Sequence, residues 1–249
     1  MSEVAKFMVE VQGNIERLRG AAEVQERSRQ WVRDVGPLRY AYNFSWMGRP
    51  IIQLPQDIVA MQELIWQIKP ALIVETGVAH GGSLIFYASM LELLGQGGRV
   101  IGVDIDIRAH NRAAIVDHPM SKRIELIQGS SIDPSIVDEV HRRAAGASPV
   151  LVVLDSNHTH DHVLHELLAY QDLVTAGSYL VVFDTAIEAL PADAFPDRPW
   201  GPGNSPASAV RVFLESHPDF EPDADIDAKL LISVAPGGYL RRRALEPVR

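Results

Sequence analysis

The chain has no cysteine among its 249 residues, which excludes disulfides, thiolate zinc sites and a cysteine nucleophile. That absence points to the cytoplasm rather than an oxidising compartment. Long hydrophobic runs are missing too: nowhere do about 18 apolar residues follow one another, the length a membrane-spanning helix needs. The opening segment from Met1 to Val11 carries acidic residues and no long apolar core, so neither a signal peptide nor a membrane partner is expected. Positive charge is scarce: 23 Lys and Arg stand against 32 Asp and Glu, a net charge of −9. With no surplus of cations to neutralise phosphates, nucleic acid and anionic lipid are not expected as partners, and small neutral or cationic ligands suit the balance better.

What is present reads as one domain over 1–249, with an N-terminal helical or lid extension over 1–50 and a Rossmann-like core over 71–243. From residue 71 onward short apolar runs alternate with amphipathic stretches, the pattern of βαβ units on a parallel sheet. Strands are predicted at Ala71–Glu75, Arg99–Asp104, Ile124–Gly129, Val150–Asp155 and Ser178–Asp184. Helices are predicted at Ser83–Leu94, Pro134–Ala145 and Asp161–Thr175. The expected fold class is α/β: a doubly wound, mostly parallel sheet closed by a C-terminal antiparallel hairpin, Leu230–Ala235 with Tyr239–Arg243, around Pro236-Gly237-Gly238. Between Leu190 and Pro206 stand five prolines and two glycines, a loop too long for a simple connection and therefore a candidate active-site cover. A helix over Ala207–His217 follows it. The charged first 35 residues, with apolar positions at helical spacing, are expected to be helices packed on the domain or on another subunit.

Chemistry is expected where Val150–Leu154 ends on Asp155 and runs into Ser156-Asn157-His158-Thr159-His160-Asp161-His162. Five apolar residues suit a strand buried on both faces, and ligands of such sheets bind outside the carboxyl ends of the strands. Asp155 and His158 then stand at the mouth of a site, whereas His160 to His162 read as a helix entrance and His162 and His165 as facing water.

The dinucleotide fingerprint Gly-x-Gly-x-x-Gly is absent. After the first core strand stands Glu75-Thr76-Gly77-Val78-Ala79-His80-Gly81-Gly82-Ser83, whose glycines let backbone approach a ligand and whose N–H groups open a helix. The next strand ends on Asp104, placed to accept hydrogen bonds from ribose hydroxyls. The combination is similar to the S-adenosylmethionine site of class I methyltransferases, with Glu75, Gly77, Ala79, Gly81, Ser83 and Asp104 as candidate contacts. Ser130, after the third strand, is a candidate for the adenine or an ordinary helix cap.

Asp155 and Asp184 end neighbouring strands, and two carboxylates with substrate oxygens would make a site for a hard cation such as Mg²⁺. Such a cation lowers the pKa of a bound hydroxyl, with His158 as the base. Asp184 reads alternatively as a cap or an ion-pair partner. Tyr40, Tyr42, Phe44 and Trp46 alternate at period two, which on an extended segment forms an aromatic stripe, either packing or a substrate lid. Tyr42 and Trp46 are its candidate substrate contacts.

Taken together, Asn43-Phe44-Ser45-Trp46-Met47-Gly48, the 75–83 loop, Asp155-Ser156-Asn157-His158-Thr159-His160, Lys229-Leu230-Leu231-Ile232-Ser233 and Pro236-Gly237-Gly238-Tyr239-Leu240-Arg241 resemble the cephalosporin hydroxylase and rhamnosyl O-methyltransferase family. That group includes metal-dependent sugar O-methyltransferases of macrolide antibiotic biosynthesis, and the similarity runs from about Tyr42 to Arg243. It implies a Rossmann-like class I methyltransferase fold, S-adenosyl-L-methionine and Mg²⁺ as cofactors, a small-molecule glycoside acceptor and a homo-oligomer. By motif it makes Asp155 a metal ligand and His158 the base for a sugar hydroxyl. Family members end the fifth strand with Glu-Asp, where this chain has Phe183-Asp184. One carboxylate is lost, so the metal is held more weakly with help from Glu188 or water, or is absent in a member with altered chemistry. Two further readings stand beside sugar O-methylation. One is a hydroxylase-like or non-catalytic S-adenosylmethionine-binding protein. The other is a metallohydrolase using His158, His160, Asp161 and His162, a ligand pattern one residue short of its type.

Overall fold

Val150–Leu154 is buried at every residue and lies at the centre of the computed structural model, which describes residues 1–244. The last five residues of the single-domain reading lie outside the described residues. Two helices open the chain, α1 (Glu3–Gly20) and α2 (Ala22–Val35), followed by a small antiparallel pair, β1 (Phe44–Trp46) and β2 (Arg49–Ile51). The core then runs α3 (Pro55–Ile68), β3 (Leu72–Thr76), α4 (Gly82–Leu94), β4 (Arg99–Asp104), α5 (Ala109–Val116) and β5 (Ile124–Gln128). After it come α6 (Pro134–Ala144), β6 (Val150–Leu154), α7 (His160–Tyr170), β7 (Tyr179–Val182), α8 (Pro206–Ser216), β8 (Phe220–Pro222), α9 (Ala224–Leu230) and β9 (Tyr239–Arg242).

The seven-stranded sheet has the order β5-β4-β3-β6-β7-β9-β8. Its first five strands are parallel, and β9 joins antiparallel to β7 and β8. The period-two alternation explains the layers. Leu151 and Val153 face one apolar cluster with α3 and α4, while Val150, Val152 and Leu154 face another with α6, α7 and α8. Strand order reverses between β3 and β6, so the crevice of this doubly wound, Rossmann-like sheet opens where Gly77 and Asp155 leave adjacent strands. The N-terminal helices pack on the domain: Arg19 pairs with Asp225, and Gln12 donates to the same carboxylate at 3.3 Å.

Two sequence expectations change. The closing hairpin has Phe220–Pro222 as its first arm and not Leu230–Ala235, which holds the end of α9 and a turn. The buried Asp57 carboxylate takes the Ser233 hydroxyl at 2.6 Å and the Val234 N–H at 3.0 Å, and Leu231 has φ +60, so this segment cannot extend along a strand. The aromatic stripe is broken as well. Arg39 in a left-handed conformation starts a 3₁₀ turn over Tyr40–Asn43, and the Asn43 amide donates to the Tyr40 carbonyl at 2.9 Å. Period two therefore holds only from Phe44 to Trp46.

Gly77 has φ +92, and a Cβ there would strike the carbonyl of Asp155. The glycine thus lets the β3 loop lie against the β6 loop. Gly77→Ala is expected to cost at least about 2 kcal/mol, from left-handed strain and overpacking together. Gly95, at φ +69 with open space around its Cβ position, isolates the strain alone, so Gly95→Ala should cost only about 1 kcal/mol. Equal losses in urea unfolding would show that the close approach is unimportant.

Candidate active site

Asp155 follows β6 directly, and its N–H donates to the Thr76 carbonyl at 2.9 Å, which fixes it beside the β3 loop. Asp184 follows β7 in a left-handed conformation, φ +58. His158 lies between them: its Nε2 is 3.1 Å from Asp184 Oδ2, and one donor atom from each of Asp155, His158 and Asp184 falls within 4.8 Å of the others. Burial and the neighbouring Asp184 charge raise the Asp155 carboxyl well above the usual carboxylate range. No Lys or Arg pairs with either carboxylate among the described residues, so the cluster lacks a cation of its own. A hard divalent ion fits this donor set. Glu188 does not complete it. That carboxylate instead accepts the Gly203 N–H at 3.0 Å and the Ser205 hydroxyl at 2.5 Å, tying down the end of the proline-rich segment. Phe183 offers no donor atom and packs edge-on against Tyr239 in the core.

Two cavities meet at this cluster. The smaller, about 170 Å³, is lined by the 77–83 loop, by Gln53 and by Asp155. The larger, about 420 Å³, lies between α2, the Tyr40–Tyr42 turn and the proline-rich segment, with Phe195 and Trp200 on one wall. Tyr42, Ile52, Ser156, His158 and Asp184 line both. The segment expected to act as a cover does border the site.

Of the candidate donor contacts, Gly77, Ala79 and Ser83 line the smaller cavity, whereas Glu75 and Gly81 lie behind it. Glu75 is fully buried and takes the Ser83 hydroxyl at 2.7 Å. Burial pushes its carboxyl up to about 8. Its other oxygen, the Tyr87 hydroxyl and both polar atoms of the Gln53 amide have no hydrogen-bond partner. The three groups lie against one another in the interior, and of them only Gln53 borders the cavity. Gln53 was missed in the sequence, where a glutamine between Ile52 and Leu54 carries no motif.

Asp104 does not enter either cavity. Its carboxylate accepts the N–H groups of Val78 at 2.8 Å, Ala79 at 3.2 Å and Asp106 at 2.9 Å, so it shapes the glycine loop. Ser130 also lies outside both, at the end of β5. Trp46 is not brought to the site: its indole donates to Ser89 at 3.0 Å and its ring packs edge-on against Phe86. Tyr42, 54% exposed, is the member of the stripe that reaches the cavities with its neighbour Tyr40.

The later histidines diverge from the cluster. His160 opens α7 and meets Ser208 at 2.8 Å, and His165 is exposed, as the sequence implied. His162, expected to face water, turns inward to Ser131, Ser156 and the buried Glu166. A metallohydrolase ligand set is thereby not assembled.

Because Glu75 titrates near 8 in the fold against 4.5 ordinarily, the native state holds a proton that the unfolded chain loses across that window. Stability contributed there falls as pH rises from 4.5 to 8. In Glu75→Gln that dependence disappears. Relative to the parent, its Tm is expected to gain about 7–14 °C between pH 5 and pH 8, from about 3.5 kcal/mol of linkage at about 2–4 °C per kcal/mol for a chain this long. Thermal unfolding of the ligand-free protein at both pH values measures it, and parallel curves would refute it.

Residues 38–243 match the family model described as Rhamnosyl O-methyltransferase/CmcI. The rhamnosyl O-methyltransferase of Mycobacterium tuberculosis (strain ATCC 25618 / H37Rv) is 30% identical over 203 residues, covering 80% of this chain and 78% of that protein. That of Mycobacterium leprae (strain TN) is 31% identical over 202 residues, covering 80% and 83%. A solved structure of CmcI with Mg and SAM aligns with a TM-score of 0.59 at 22% identity, covering 82% of this chain and 78% of that one. An apo structure of CmcI gives 0.57, also at 22% identity, covering 82% and 77%. These likenesses bear out the Rossmann-like methyltransferase fold, and the chain belongs to the Rhamnosyl O-methyltransferase/CmcI family.

Proposed function

We propose that this chain is an S-adenosylmethionine-dependent O-methyltransferase acting on a sugar hydroxyl of a glycosylated natural product, with Mg²⁺ held by Asp155 and Asp184. One observation carries the reading: two cavities of different lining meet at His158 and Asp184, as a two-substrate transfer requires. The smaller cavity falls below the range of about 300–1,000 Å³ usual for ligand sites, so it suits the amino-acid and sulfonium end of the donor. Gln53, Gly77, Ala79 and Ser83 face that end, and the nucleoside extends beyond the cavity toward the ends of β4 and β5, where Asp104 holds the glycine loop. The larger cavity takes the glycoside, with Tyr42 and Trp200 against it.

The donor supplies a methyl group on a sulfonium, and a divalent ion supplies positive charge that eases ionisation of a bound hydroxyl. The chain's own residues do the rest. Asp155 and Asp184 orient the acceptor end of the site, and His158 takes the hydroxyl proton as the acceptor oxygen bonds to the methyl carbon. Release of the methyl from sulfur balances the charge. The walls align oxygen and carbon in line and exclude water, which would otherwise compete. The protein acts in the cytoplasm as a homo-oligomer.

His158→Ala is expected to lower transfer of labelled methyl to a glycoside by about 10²–10⁴-fold, the usual contribution of a general base. S-adenosylhomocysteine affinity in calorimetry should stay within about threefold of the parent, because the lost ring only borders the donor cavity. Near-parental transfer by the variant removes His158 as base. Failure of the parent to bind either S-adenosylmethionine or S-adenosylhomocysteine removes the methyltransferase reading.

A further inference from the structure

Net charge made an anionic ligand the least expected, yet the larger cavity has two arginines in its lining. Arg39 and Arg198 line it and do not line the smaller cavity, whereas Asp184 and His158 line both. Charge is thus divided along the space: carboxylates where the cavities join, guanidinium groups in the part reserved for the acceptor.

Neither arginine is used by the fold. Among the described residues neither has a carboxylate within 4 Å, and neither side chain makes a hydrogen bond, although elsewhere Arg29, Arg33 and Arg143 are paired with glutamates. Arg39 is instead held in place by its backbone and by an aromatic ring. It has φ +56, a conformation uncommon for a residue with a side chain, and its guanidinium stands 5.8 Å from the Tyr42 ring. Arg198 comes from the proline-rich segment, about 160 residues further along the chain, beside Phe195 and Trp200, whose ring centres are 5.2 Å apart. Trp200 in turn meets the His158 ring edge-on at 5.7 Å. An aromatic run therefore leads from the His158 ring to Phe195, in the segment that carries Arg198.

We propose that Arg39 and Arg198 form an anion-recognition subsite and that the acceptor is an acidic glycoside, a sugar carrying a carboxylate or phosphate group. The inference rests on the methyltransferase reading for the word acceptor, though the subsite itself does not. A guanidinium presents a planar fork of N–H donors that matches both oxyacids. The division of charge also orients the ligand. The guanidinium groups draw the acid into the larger cavity, which leaves a hydroxyl of the same ligand to reach His158 where the cavities join. Binding would draw the proline-rich segment and the N-terminal segment onto one ligand, closing the cavity from both sides.

The test uses the full chain, with and without S-adenosylhomocysteine. Matched p-nitrophenyl glycosides are titrated by calorimetry and saturation-transfer NMR: the glucoside and galactoside, their uronides, and their 6-phosphates. For at least one sugar an acidic member should bind at least about tenfold tighter than its neutral parent, and the better of the two acids identifies the group recognised. Arg39→Gln and Arg198→Gln should each reduce that advantage by about fivefold or more while leaving the neutral parent and S-adenosylhomocysteine unchanged. Raising salt from about 0.05 to 0.5 M should shrink the advantage, since a subsite open to water is screened. The proposal is overturned if neutral parents bind as well as the acids, if the advantage survives in the double variant, or if no member of the panel binds. Methyl transfer preferring neutral glycosides would sink the subsite and leave the methyltransferase reading standing. Arginine-dependent acid binding without donor binding would do the reverse.

Discussion

Asp155 ends a strand buried on both faces, and the charges of Asp184, Glu75, Glu166 and Asp57 all add to the effect of burial on its carboxyl. Several carboxylates in one low-dielectric region cannot all ionise unless protons, hydrogen-bond donors or a cation relieve them. The chain relieves most of them internally. Asp57, raised to about 6 by burial, accepts from Ser233, Val234 and Tyr239. Glu166 receives the Ser131 hydroxyl at 2.5 Å and the Ser156 hydroxyl at 2.7 Å, and Glu75 receives Ser83. Asp155 and Asp184 are left with His158 alone. A proton or a cation supplies the missing positive charge, and the second of these makes the pair a candidate cation site.

The internal donors also build the walls. The hydroxyls that reach Glu166 Oε1 come from the loops after β5 and β6, so one buried carboxylate holds the rim of two strands together beneath the cavities. Asp57 captures the segment before β9 and thereby fixes Tyr239, whose ring packs on Phe183. Glu188 does the same for the proline-rich segment. Each acid that is not needed for chemistry anchors a loop that is.

The strands were legible because apolar runs of four to six residues, alternating toward two helical layers, admit few topologies. Once the order was fixed, Asp104, Asp155 and Asp184 had to lie along one edge. Their individual tasks were not legible. Whether Asp104 meets a ligand or the amides of Val78 and Ala79 depends on a loop whose path is set by Gly77 pressing on Asp155, a contact between residues distant in sequence. Gln53, Arg39, Arg198 and Trp200 belong to segments without periodicity, where side-chain direction follows from turns such as the left-handed Arg39. Only the composition of 190–206 gave a signal there. Trp46 lies apart from the site because the chain turns over Tyr40–Asn43 and breaks the alternation that the spacing of the aromatics implies.

Phe183 bears on the same charge balance. An acid at that position would add a further carboxylate beside Asp57 and Tyr239; a phenyl ring fills the space and removes the charge. The donor set then contains two carboxylates and an imidazole, and His158 is drawn into it. A ring nitrogen 3.1 Å from a carboxylate oxygen needs positive charge between the two, because two lone pairs facing one another repel. If a proton lies there, Nε2 carries it, Asp184 fixes the tautomer and the lone pair on Nδ1 stays free to take a proton. If a cation lies there, Nε2 spends its lone pair as a ligand and the proton acceptor at that atom is gone. His158 therefore serves as base while a proton, and not the cation, lies between it and Asp184, so the two carboxylates must hold the cation without Nε2.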